Sequence, residues 1–99
     1  MNTHELFEAI EQWGRDRGLD NPEFKNKQAL KVMEEIGETM AAMARGRKEE
    51  LMDGIGDSIV TLIILAMQCG TSASACLEGA YEEIKGRQGK TVNGVFIKE

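Results

Sequence analysis

The chain has 99 residues, enough for one domain spanning the whole sequence, and a net charge of −5 at pH 7. That acidity speaks against a general nucleic-acid or membrane-surface binder, because both need a basic face. The apolar run from Ile59 to Met67 falls far short of the roughly 20 residues of a membrane span. No basic region followed by an apolar run opens the chain, so a cytoplasmic protein is expected. Cys69 and Cys76 lack a Cys or His partner at metal-binding spacing and read as reduced, partly buried thiols.

Helical periodicity divides the chain into four helices and a tail. The first helix is predicted from about Thr3 to Arg17. Asn2 followed by Glu5 is a capping pattern, and Leu6, Ile10 and Trp13 form an apolar stripe. Gly18 closes it, and Asp20-Asn21-Pro22 marks a loop. The second helix is predicted from about Lys27 to Ala44, with Leu30, Met33, Gly37, Met40, Ala41 and Ala44 as its core face. The third runs from about Lys48 to Gln68. Its Ile59 to Leu65 stretch is β-branched, yet it continues a helical pattern and is apolar all round, which fits the centre of a bundle. Thr71 or Ser72 caps a fourth helix that reaches about Lys85, with Ala73, Cys76, Leu77, Ala80, Tyr81 and Ile84 as its stripe. In the tail, Asn93-Gly94 between apolar flanks predicts a two-stranded hairpin. Such a hairpin is marginal alone and is expected to lean on the helices.

The chemistry concentrates on the second and third helices. Glu34-Glu35-x-x-Glu38 gathers three carboxylates along one edge, and Glu50, Asp53 and Asp57 recur at i, i+3 and i+7. The pairs Glu34/Glu38 and Asp53/Asp57 are like charges at i, i+4, which disfavour a helix unless something compensates them. The third helix's acids lie on the line that becomes its core face, Val60, Thr61 and Ile64, and buried carboxylates need a proton or a cation. Folding the chain about Gly46 sets position 38 opposite about 54 and 35 opposite about 57, so the two clusters meet. Hard oxygen ligands without nearby His or Cys suit Mg²⁺ rather than zinc. Gly37, Gly54 and Gly56 interrupt the same helices, either for close packing or to leave room for a ligand.

With these residues in view, the sequence resembles the MazG-like family of all-α nucleoside triphosphate pyrophosphohydrolases, most closely its phage-type members. That family carries Glu-Glu-x-x-Glu on one helix and Glu-x-x-Asp on the next. The first half is complete here as Glu34-Glu35-x-x-Glu38. The second matches either Glu50-Leu51-Met52-Asp53 or, in better register with the following apolar run, Gly54-Ile55-Gly56-Asp57. The second alignment makes Asp57 the family's Asp and leaves Asp53 to supply the carboxylate that Gly54 lacks. The tail Gly89-Lys90-Thr91-Val92-Asn93-Gly94-Val95-Phe96 is also similar to theirs.

The resemblance implies an all-α, four-helix MazG-like bundle completed by homo-oligomerisation, as a homodimer or homotetramer, with a short hairpin tail. It implies hydrolysis of a nucleoside triphosphate, a dNTP above all, to the monophosphate and pyrophosphate. Glu35, Glu38, Asp53 and Asp57 would bind Mg²⁺, with Mn²⁺ as a substitute. Glu34 would orient or deprotonate the attacking water beside Glu35 and Glu38. Lys85, Arg87 and Lys90 read either as a phosphate clamp, reaching a neighbouring subunit's site, or as ordinary charge complementing a helix dipole. Trp13 reads either as a stacking surface for a base or as core. The contrasting reading, from a different class, is a non-catalytic helical interaction module with a relic acidic site.

Overall fold

Asn2 starts α1 (Thr3–Asp16) with a reciprocal capping box: its side chain accepts from the Glu5 N–H and its own N–H donates to the Glu5 carboxylate. A 3₁₀ turn (Pro22–Phe24) then leads into α2 (Lys25–Ala44), which begins two residues before the predicted start. Gly46, at φ 68°, ends α2 in a Schellman turn in which the Arg47 N–H reaches the Ala42 carbonyl at 2.9 Å. α3 (Lys48–Gln68) has the predicted bounds. Ser72 caps α4 (Ala73–Ile84) through the Ala75 N–H. β1 (Gly89–Val92) and β2 (Val95–Lys98) form an antiparallel hairpin. Its turn holds Asn93 and Gly94 at φ 50° and 80°, the left-handed pair that a tight hairpin requires. The computed structural model describes all residues, Met1–Glu99.

The chain is therefore mostly helical with a small C-terminal hairpin. Its centre is the antiparallel pair of α2 and α3. α2 turns Val32, Thr39 and Ala42 inward, and α3 turns Thr61, Ile63, Ile64 and Gln68 inward. α1 crosses α3 where Gly14 meets Ile64; the Ile64 Cδ1 lies 2.5 Å from where a Gly14 Cβ would stand. A Cβ there would push the end of the Ile64 side chain out of its place between the two helices.

Three expectations are corrected by the packing. The stripe Leu30, Met33, Gly37 and Met40, read as the core face of α2, faces solvent, and the more polar line through Thr39 meets α3 instead. The two cysteines are exposed rather than partly buried: Cys69 sits at the C-terminal end of α3, and Cys76 belongs to α4, which has no buried residue. The hairpin packs against none of the helices of its own chain, and all eight strand residues are exposed.

The outcome is a surface too large for the mass. The chain exposes 7492 Å², with a radius of gyration of 15.7 Å. A compact monomer of this size exposes about 5,600 Å² and has a radius of about 13 Å. Helical phase sorts the surplus. Glu35, Glu38, Asp53 and Asp57 fall on one flank of the α2–α3 pair, and Met33, Met40, Met52 and Ile55 on the opposite flank. No single helix is long and apolar enough to cross a membrane.

Candidate metal centre

The acidic flank is set by one close contact between α2 and α3. Gly54 faces Thr39, and a Cβ at position 54 would come within 3.2 Å of the Thr39 Cα. Thr39 spends its hydroxyl inside its own helix, donating to the Glu35 carbonyl at 2.7 Å, and lies 3.5 Å from the Ser58 hydroxyl. With the helices this close, their flanking carboxylates border one cavity of about 210 Å³. Glu35, Glu38, Asp53 and Asp57 all line it, joined by Glu50 and by Thr39 at its floor.

The structure thus brings together the four residues that the sequence singles out as metal ligands. It does not bury them as expected. Asp53, Asp57, Glu50 and Glu38 are exposed, because this half of α3 meets α2 alone and neither α1 nor α4 extends over it. Glu35 is the most enclosed, with 15% of its side chain exposed, and the Lys31 ammonium lies 3.4 Å from it. Lys31 also reaches Glu34 at 3.6 Å. Hydrogen bonding to Glu35, with attraction from Glu34 and Glu35, raises the Lys31 ammonium above its usual range. No cation lies within ion-pair distance of Glu38, Asp53 or Asp57. Glu50 is 3.5 Å from Arg47.

The donor set fits a hard divalent cation: carboxylate oxygens only, from two facing helices, most of them without a counter-ion. In this arrangement no three of the carboxylates converge on one point. Glu34 lies outside the cavity, turned about 100° from Glu35 and held by Lys31. Gly54, at the helix crossing, has no room for the glutamate that the family pattern has there; Asp53 occupies the open flank one residue earlier.

A larger cavity of about 750 Å³ adjoins the first and shares Glu35 and Asp57 with it. Trp13 and Phe24 form its aromatic walls, and Arg17, Lys27 and Lys31 supply positive charge. The Arg17 guanidinium lies 4.4 Å over the Trp13 ring, and the Lys27 ammonium 5.8 Å over the Phe24 ring. Two amides line its wall. Gln28 donates to the Thr61 carbonyl at 3.0 Å, and Gln68, 4% exposed, donates to the Leu19 carbonyl at 2.7 Å. The Gln68 Oε1 has no partner.

Trp13 is therefore at a cavity wall rather than in the core. Lys85, Arg87 and Lys90 line neither cavity of their own chain; Lys85 pairs with Glu82 at 2.7 Å, and the other two belong to the unsupported tail. Arg17, Lys27, Phe24, Gln28 and Gln68 were not singled out by sequence reasoning. Only tertiary folding of the loop after α1 brings them together; the one local signal is Lys31, four residues before Glu35.

Among known proteins, no protein-family model and no solved structure matches the chain. The chain is similar to an uncharacterized 18.2 kDa protein from the rep-hol intergenic region of Haemophilus phage HP1 (strain HP1c1), with 41% identity over 67 residues. Those residues are 68% of this chain and 41% of the phage protein, so the chain spans about two fifths of that relative's length.

Proposed function

We propose that this chain is a MazG-like nucleoside triphosphate pyrophosphohydrolase dependent on Mg²⁺ or Mn²⁺. The observation that carries the reading is the pair of adjoining cavities: one walled by carboxylates, the other by aromatic rings and cations, with Glu35 and Asp57 common to both. The larger has the volume of an ordinary small-molecule site, which runs from about 300 to about 1,000 Å³. A base and sugar fit against Trp13 and Phe24. The triphosphate then points at Glu35 and Asp57, with Lys31 beside it.

Glu35, Glu38, Asp53 and Asp57 would hold the divalent cation, which neutralises phosphate oxygens and acidifies a water when bound. Water attacks the α-phosphorus, the bond from that phosphorus to the bridging oxygen breaks, and pyrophosphate leaves with that oxygen. Glu38, which has no side-chain counter-ion, would take the proton of the water on the carboxylate oxygen that does not hold the cation. Glu34, held outside by Lys31, is a poorer choice for that role.

The surplus surface of about 1,900 Å² exceeds the roughly 800 Å² that each partner contributes to a standard interface. A homo-oligomer covering Met33, Met40, Met52 and Ile55 accounts for it and leaves the acidic flank open. Gly37, with nothing within 4 Å of where its Cβ would stand, lies between Met33 and Met40 on the apolar side and lets a second helix approach closely.

The contrasting reading, a non-catalytic helical module, draws on the lack of convergence among the carboxylates. One assay separates the two. The full chain is incubated with each NTP and dNTP, with and without Mg²⁺, and the products are resolved. Mg²⁺-dependent monophosphate and pyrophosphate are expected; no turnover of any nucleotide leaves the interaction module.

A further inference from the structure

The hairpin has a definite amphipathic construction without anything to pack on. Its register pairs Gly89 with Lys98, Lys90 with Ile97, Thr91 with Phe96 and Val92 with Val95. Opposed residues share a face, and alternate pairs switch faces. On one face the Phe96 ring lies across Gly89, its Cζ 2.8 Å from where a Cβ would stand, so the one aromatic of this face packs on the hairpin's own backbone. The other face carries Val92, Val95 and Ile97, with Lys90 at its end. These three apolar side chains are 43%, 59% and 50% exposed. A two-stranded hairpin of this length is at best marginal in water without a surface to cover that face.

We propose that the hairpin is an exchanged arm: its Val92–Val95–Ile97 face seats in the apolar groove between α3 and α4 of a second copy of this chain. The groove is a cavity of about 610 Å³ in which every lining residue except Thr71 is apolar, with Leu62, Leu65, Cys76, Leu77 and Ala80 among them. It continues the apolar flank of the α2–α3 pair, away from the carboxylates, so the arm leaves both cavities of the acidic side open.

Charge supports a second copy as the occupant. Residues 85–99 hold four cations and one acid, whereas residues 1–84 hold eight cations and sixteen acids. A basic arm and an acidic body attract each other in either direction of exchange. The charge also matches in detail. Glu83 lies two turns beyond Cys76 on the same helical line, so the groove ends in an acid as the arm's apolar face ends in Lys90. Reciprocal exchange gives a closed two-fold arrangement, with the same patch used on both chains. It would also cover part of the surplus surface that one chain leaves in water.

The groove contains its own probe, Cys76. In the full chain with C69S, adding V95C places one thiol on the arm and leaves one in the groove. Mild oxidation is expected to give a covalent dimer, seen on non-reducing gels and by intact mass, that disappears when C76S is added. A link within one chain, a dimer that survives C76S, or no link at all overturns the proposal. As a second measurement, Ile97→Asp is expected to weaken self-association by about tenfold or more, with helical circular dichroism unchanged. Unaltered self-association of that variant also overturns it.

Discussion

Gly54 lies against Thr39 so closely that α2 and α3 have no space for any side chain at position 54. The contact decides how far apart the two carboxylate rows stand. Gly54→Ala is expected to destabilise the fold by about 1–3 kcal/mol, the usual cost of overpacking. Gly54→Glu, which introduces the letter of the MazG-like pattern, is expected to cost more and to add no activity, because the side chain must displace Thr39 and push apart the two helices that border the cavity. Urea denaturation and pyrophosphate release measure the two effects; a stable and faster Gly54→Glu variant would contradict this account.

Glu38 and Asp57 border the acidic cavity, and neither has a counter-ion. Glu38→Gln and Asp57→Asn are each expected to lower Mg²⁺-dependent pyrophosphate release by about a hundredfold or more. Glu34→Gln, outside the cavity, is expected to lower it by less than about tenfold. The reverse order of effects would return the proton-accepting role to Glu34.

On the pyrophosphohydrolase reading, Trp13, at the wall of the larger cavity, contributes binding area rather than chemistry. Trp13→Ala removes a stacking surface worth about 1–3 kcal/mol per base. The expected result is a KM for the triphosphate raised roughly tenfold or more with kcat little changed, the pattern of lost uniform binding. A fall in kcat at constant KM would mean that the ring orients the reacting phosphate instead.

Lys31 links stability to alkaline pH. Its ammonium is raised above the ordinary lysine value by Glu35 and Glu34. A raised folded-state value means that the native chain holds the proton more tightly than the unfolded chain. The stability this lends is complete below the unfolded value of about 10.4 and is lost as pH rises through the higher folded value. The stability difference between wild type and Lys31→Met should therefore be constant from pH 7 to about 10 and shrink above that. A difference that shrinks between pH 7 and 9 would place the coupling elsewhere.

The fold and the site differ in how much of them can be read from the residues. Asn2 with Glu5, Gly46, Ser72 and Asn93-Gly94 act locally, so the helix bounds and the hairpin turn are legible to within a residue or two. The meeting of Glu35 with Asp57 is nearly as legible, because a short turn about Gly46 fixes the pairing of α2 with α3. What periodicity cannot distinguish is the partner that an apolar stripe faces. Leu30, Met33 and Met40 form the obvious core line of α2, yet within one chain the line through Thr39 is buried. The cavity of Trp13, Phe24, Gln28 and Gln68 is illegible for another reason: its walls come from distant segments and share no spacing.

The Lys31–Glu35 contact, at 3.4 Å on the border between the two cavities, has a consequence for the order of events. On the pyrophosphohydrolase reading, Lys31 is a placeholder that occupies Glu35 until a stronger cation arrives. Once displaced, its ammonium turns to the neighbouring cavity, where the phosphates need it. Metal affinity and nucleotide affinity are then two sides of one equilibrium: each ligand raises the affinity for the other by the same factor. An empty site would keep Glu35 paired with Lys31, and a half-filled one would recruit what it lacks.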